Sequence, residues 1–297
     1  MNEVNGTSKT NEVSGMSGTS KTSEMSGMNE MDGKIALLMG FGYESNPEMR
    51  LLSTIIDLYR MYKYTKELGC EVRVITDIQE TCCLIKPILD GVIDMDITLF
   101  LDTLRKRSEY ILWNPSLDWK EMICWEKYDK IIFYYTGHGI RGYIVLPDHD
   151  RGHNTLSVYT LRDIILNYSR KNSQILCLFD SCFAPILSLP FYFCDNHFKR
   201  TVGQYCSQHI LCLSSNPSGK SLCSGSGSEF TKYILNLLGQ GIISLSEINK
   251  YDTLLVNHTC LSKYTPEEKK QTEPIVVIAS SYPVGSILWT WVTRKPN

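Results

Sequence analysis

The sequence predicts an α/β domain with a mostly parallel sheet, and three observations carry the prediction. "KIALLMGF" (34–41), "YDKIIFYYTGHG" (128–139), "SQILCLFDSC" (173–182) and "HILCLSS" (209–215) are unbroken apolar runs, as strands covered on both faces require. Between the first run and the alternating "EVRVITD" (71–77) lies one helical stretch, a β-α-β unit of the kind that makes a parallel sheet. Further helical segments then alternate with the runs.

In chain order, the helix after Pro47 places Leu52, Ile55, Tyr59 and Tyr62 on one stripe, and Gly69 stands past its end as a stop. Residues 99–106 read as a helix and Trp113-Asn114-Pro115 as a loop. "GYIVLPD" (142–148) is short and extended. "TLRDIILNYSR" (160–170) is a helix in which Thr160 and Asp163 are spaced as a capping box. "SEFTKYILNLLG" (228–239) is an amphipathic helix closed by Gly239, and "EPIVVIASS" (273–281) is a last strand. The expected fold is one α/β domain over 34–297 with a six-stranded, mostly parallel central sheet flanked by helices.

Residues 1–33 are different. They are rich in Ser, Thr, Gly, Asn and Glu, and "GTSKT" occurs at Gly6 and again at Gly18. Such a segment buries too little apolar surface to offset its ordering entropy, which predicts disorder. It has no apolar core of a secretory signal and no Arg of a mitochondrial presequence.

Composition excludes several classes. The net charge of −2 gives no basic footprint for nucleic acid. No uninterrupted apolar run reaches the roughly 18 residues of a membrane span. The 11 cysteines form no CxxC pair, so a zinc framework is not expected. With no export signal, a reducing, cytoplasmic setting is the expectation, with most thiols acting as small core residues.

Sites in open α/β sheets form at the carboxyl ends of the strands. Two polar clusters sit there: Thr136-Gly137-His138-Gly139 and Asp180-Ser181-Cys182. If their strands are neighbours, His138 and Cys182 emerge side by side as an acid–base and a nucleophile. The N–H groups of Gly139 and Cys182 are then the natural oxyanion donors. The plainer alternative is a turn histidine and a core cysteine.

At these residues the chain resembles the caspase–metacaspase group of cysteine peptidases. "YYTGHG" followed by "CLFDSC" is similar to the family's histidine and D-S-C motifs. "DLYRMYKYTKELGCEVRVITD" (57–77) resembles its first helix and second strand. "SLPFYF" (188–193) and "SSNPSGKSLCSGSGSEFTKYILNLL" (214–238) resemble later stretches. The Q-A-C-x-G of animal caspases is absent, so metacaspases are the better match, of the type with a low-complexity prodomain. The resemblance implies a caspase–haemoglobinase fold, a large-subunit region over about 34–195 and a small-subunit region over about 208–297. It also implies endopeptidase activity with Cys182 as nucleophile and His138 as acid–base.

The resemblance further implies cleavage after Arg or Lys in an acidic pocket. Asp180 and Asp57 match its carboxylates, and Thr136 takes the place of a pocket serine. Thr54 and Asp57 are also spaced as a capping box, so Asp57 has a purely helical reading. Arg50 offers a rival, Asp-directed specificity, which Asp180 opposes. The family's activating calcium has little counterpart: Ser188 replaces one aspartate, and Asp148 and Asp150 alone make a weak site for a hard ion. No metal is assigned. Phe183-Ala184-Pro185 departs from the family after the cysteine and supports a silent, peptidase-like binding protein as the alternative. Lys199-Arg200 reads as a self-cleavage site. The expected partners are protein or peptide substrates, not nucleic acid or membrane, and the expected state is a monomer.

Overall fold

The computed structural model describes residues 33–51, 53–79, 97–118, 125–147, 154–194, 197–216, 219–221, 223–224, 227–240, 244–249, 276–281 and 290–292. The expectations on residues 1–32, on Leu52 and on Asp148 and Asp150 lie outside this set. Among the described residues no helix is long and apolar enough to cross a membrane.

The α/β class is as expected, but the sheet is larger. Strands β1 (Lys34–Gly40), β2 (Glu71–Thr76), β3 (Tyr110–Leu112), β4 (Lys130–Gly137), β8 (Gln174–Ser181) and β11 (His209–Ser215) run parallel in the spatial order β3-β2-β1-β4-β8-β11. Three antiparallel strands continue it: β14 (Val276–Ser280), β9 (Phe191–Cys194) and β10 (His197–Arg200). Five of the six expected strands lie in the parallel part of this nine-stranded mixed sheet; the sixth, β14, runs antiparallel, and β3, β9 and β10 were not expected. Lys199 and Arg200 stand in the strand β10 at the end of this sheet, opposite Tyr192 and Phe191.

The unbroken apolar runs have a simple cause. Side chains alternate across a strand, and each face of this sheet has its own core. Ala36 and Leu38 of β1, Ile132 and Tyr134 of β4, Leu176 and Leu178 of β8, and Leu211 and Leu213 of β11 share one core. Packed there are α1 (Ser53–Glu67), α2 (Ile97–Lys106), α4 (Glu229–Gly239) and α5 (Leu245–Asn249). Leu37, Phe133, Cys177 and Cys212 belong to the other core, with Trp125 and with Leu161 and Ile165 of α3 (Val158–Tyr168). Both parities are thus apolar, which erases the period-2 signal.

Helix ends correct two readings. The N-cap of α3 is Ser157, whose Oγ accepts the Thr160 N–H at 3.0 Å, so Thr160 lies inside the helix and heads no capping box. Asp57 does not cap α1 either. Thr54 Oγ1 donates to Leu51 O at 2.8 Å, and the Asp57 carboxylate is engaged elsewhere, as described below.

Past β4 the chain makes a small sheet from β5 (Gly139–Ile140), β6 (Tyr143–Val145) and β7 (Thr155–Ser157). A short hairpin of β12 (Cys223–Ser224) and β13 (Gly227–Ser228) precedes α4. Both lie at the carboxyl end of the parallel strands, where the polar clusters emerge.

Candidate active site

Strands β4 and β8 are hydrogen-bonded neighbours in parallel register, with Thr136 opposite Asp180 and Gly137 opposite Ser181. The next residue of each is His138 and Cys182, so the two leave the sheet side by side. The backbones after them are also in close contact. A Cβ added to Gly139 would overlap the Cys182 carbonyl oxygen and lie 2.6 Å from Ser181 Oγ. The N–H groups of Gly139 and Cys182 therefore belong to adjoining segments. The missing side chain of Gly139 is what admits the Cys182 backbone.

His138 is held from the loop between β1 and α1. Its Nε2 lies 2.7 Å from Met49 O. A carbonyl can only accept, so Nε2 carries a proton and Nδ1 remains as the second ring position. No hydrogen bond joins His138 to Cys182 among the described residues, a looseness common in free enzymes.

Burial pushes the Cys182 thiol above its ordinary range, and Asp180 pushes the same way. The Ser221 backbone and the Lys220 ammonium pull it back. The segment that carries them is pinned beside Cys182: Phe183 N donates to Gly219 O at 2.7 Å, and Ser221 Oγ to Asp180 Oδ1 at 3.0 Å. A raised thiol is mostly protonated at neutral pH and needs a base at the moment of attack. Accordingly, the iodoacetamide labelling rate of Cys182, followed by peptide mapping, should climb through a midpoint above that of an unperturbed thiol. Lys220→Met should move that midpoint higher still. A midpoint below neutrality in the wild type, or no change in the variant, contradicts this account of the thiol.

The strand parity that builds the cores also brings two buried carboxylates together. Thr136 and Asp180 extend the series Ile132–Tyr134 and Leu176–Leu178, so they face α1 and α4. There Asp180 Oδ2 accepts from Thr231 Oγ1 at 2.5 Å, and Thr231 Oγ1 lies 2.7 Å from the Tyr134 hydroxyl. From α1, Asp57 comes to the same place, both its oxygens 3.0 Å from Ser228 N. Asp57 and Asp180 are only 1% and 3% exposed, so both are closed over by their own chain. A Cβ on Gly227 would collide with Asp57 Oδ1 and Arg60, so the hairpin sits directly on the carboxylate.

Burial, then the nearby Asp180, raises the Asp57 carboxyl well above the usual carboxylate range, against the Ser228 N–H, Arg60 and Lys232. Burial also raises Asp180, while hydroxyl and backbone donors from Ser228, Thr231 and Ser221 pull it down. Two like charges at one desolvated place cannot both ionise freely. Donors crowd Asp180, which favours its ionised form, and leave the first proton to Asp57.

The structure thus brings together His138, Gly139 and Cys182, and separately Thr136, Asp180 and Asp57. Arg50 reaches toward Glu44 O at 3.4 Å, while the cations acting on Asp57 are Arg60 and Lys232. Among the described residues no group of three or more His, Cys, Asp or Glu could hold a metal ion. Sequence reasoning missed Tyr43, Met49, Lys220, Ser228 and Thr231. Only Thr231 left a trace, one turn into a helix whose apolar stripe faces the sheet.

No protein-family model matches the chain, and no curated protein matches it. Among solved structures, caspase-1 from Spodoptera frugiperda is similar at 12% identity, covering 89% of this chain and 92% of the other, with a TM-score of 0.47.

Proposed function

We propose that the protein is a cysteine endopeptidase that cleaves after Arg or Lys, acting on protein or peptide substrates as a cytoplasmic monomer. The observation that carries the reading is the β4–β8 register, which sets His138 beside Cys182 above two converging carboxylates. The substrate's basic side chain enters the Asp57–Asp180 pocket, where a desolvated carboxylate favours a guanidinium or ammonium group. Cys182 Sγ attacks the carbonyl carbon of the scissile bond while its proton passes to His138. The N–H groups of Cys182 and Gly139 stabilise the oxyanion. His138 then protonates the departing amine, which leaves a thioester on Cys182. A water, deprotonated by His138, hydrolyses the thioester and regenerates the thiol.

One observation favours a second reading, a silent peptidase-like binding protein. Both carboxylates are satisfied by the chain itself, and Phe183, at a left-handed φ of 47°, ties the loop after the nucleophile to Gly219. For turnover, Ser228 and the β12–β13 hairpin must give way to the incoming cation.

One assay separates the readings. Fluorogenic peptides ending in Arg, Lys or Asp are offered to wild type and Cys182→Ala, with and without calcium, and intact mass is followed for a cut at Lys199-Arg200. Turnover of Arg and Lys peptides that disappears in Cys182→Ala is the expected result. Silence on every peptide favours the binding protein. Preference for Asp overturns the pocket.

A further inference from the structure

The loop between β1 and α1 contains a strained, buried aromatic residue. Tyr43 adopts φ = 54°, in the left-handed region, yet it is fully buried. A bulky side chain there is strained and persists only where the surroundings over-determine it. Here they do. The Asp77 carboxylate, at the end of β2, accepts N–H groups from both sides of Tyr43, from Gly42 at 2.7 Å and Glu44 at 3.0 Å. Leu51 N closes the loop on Gly42 O at 2.9 Å.

The conformation aims Tyr43 at His138. Its hydroxyl accepts the His138 N–H at 2.8 Å and donates to Val145 O at 2.8 Å. Its ring lies against the imidazole, with centroids 4.6 Å apart and planes at 45°. Tyr135 completes the hold by donating to His138 O at 2.6 Å. Six residues beyond Tyr43 the same loop offers Met49 O to Nε2. One loop thus fixes the backbone, ring face and ring nitrogen of His138, and Asp77 fixes the loop.

We propose that Tyr43, clamped by Asp77, is a positioning residue for His138. It sets the imidazole so that Nε2 stays on Met49 and Nδ1 is presented to Cys182. The proposal rests on the peptidase reading above for its kinetic consequence, though not for its structural content.

Tyr43→Phe tests it, because the ring remains and only the hydroxyl is lost. Partners that orient a metal-ligating side chain typically cost 10- to 100-fold in activity when removed, and a group that orients a reacting imidazole is expected to act on the same scale. We expect kcat for an Arg peptide to fall within that range with KM changed less than about twofold, the pattern of an interaction that matters at the transition state. The second readout is the imidazole itself. In histidine-labelled protein, with the signal assigned by His138→Gln, the wild type should show one tautomer protonated at Nε2. Tyr43→Phe should show tautomer exchange. Should Tyr43→Phe fail to fold, Asp77→Asn, which keeps one acceptor, takes its place in both measurements. A wild-type kcat, a change confined to KM, or an unaltered imidazole signal overturns the proposal. A wild type that cleaves nothing defeats the peptidase reading alone, and the imidazole signal still decides the role of Tyr43.

Discussion

Asp180→Asn is expected to remove cleavage after Arg and, in the same protein, to raise thermal stability at pH 8. The activity side follows from burial. Removing one partner of a desolvated charge pair costs on the order of 2–5 kcal/mol, or roughly 30- to 5,000-fold in kcat/KM. The stability side follows from the raised carboxyls. Asp57 and Asp180 bind protons more tightly in the folded chain than in the unfolded one. Stability therefore falls as pH rises from their unfolded values through their folded ones, and stays lower above that window. An amide has no such ionisation, so the variant should melt at a higher temperature than the wild type at pH 8. At a pH below both carboxyl values the gain should vanish. Asp57→Asn should behave alike, because an amide oxygen still accepts the Ser228 N–H. In the wild type, kcat/KM for Arg peptides should rise with pH as the pair ionises. Melting curves at the two pH values and kinetics with Arg and Lys peptides check this. A variant less stable at pH 8, or one that keeps Arg cleavage, would mean that the carboxylates are not a strained pocket.

This trade of stability for function also explains what the sequence could and could not tell. Two-faced burial made the strands legible as apolar runs, and the position of strand ends made His138 and Cys182 legible as a pair. The carboxylate pair was half legible. Asp180 sits two residues before Cys182 in the chain, but Asp57 arrives from a helix, and its distance from Asp180 is a tertiary fact. Its spacing from Thr54 mimicked a capping box as well. The strands β3, β9 and β10 were missed because they are three or four residues each and depend on pairing with β2, with β14 and with each other. Thr160 misled because Ser157, three residues earlier, is as good a cap and the helix starts there. Tyr43 gave no sign at all. Its left-handed φ is held by Asp77, which lies just past the end of β2, and no local pattern encodes that.

Gly139→Ala should be the most damaging single-methyl change at the site. The two chemical motifs pass so closely that a Cβ at Gly139 would overlap the Cys182 carbonyl oxygen and come 2.6 Å from Ser181 Oγ. Backbone cannot swing aside as a flexible side-chain end can, so β5 and the nucleophile turn must separate. Overpacking of this kind costs about 1–3 kcal/mol. The kinetic loss should be larger than that strain suggests. Displacing one oxyanion donor costs on the order of 100- to 1,000-fold in kcat, and here the methyl moves both proposed donors, Gly139 N–H and Cys182 N–H. Gly239→Ala is the control, since a Cβ there meets nothing within 4 Å and alanine is the better helix former. It should leave kcat unchanged and stability equal or slightly higher. Thermal melts and single-turnover acylation of both variants separate the outcomes. If Gly139→Ala acylates within a few fold of wild type, the oxyanion is held elsewhere, and the glycine after the histidine serves packing alone. If acylation collapses while the fold survives, the glycine is what lets the "TGHG" and "DSC" motifs meet as one site.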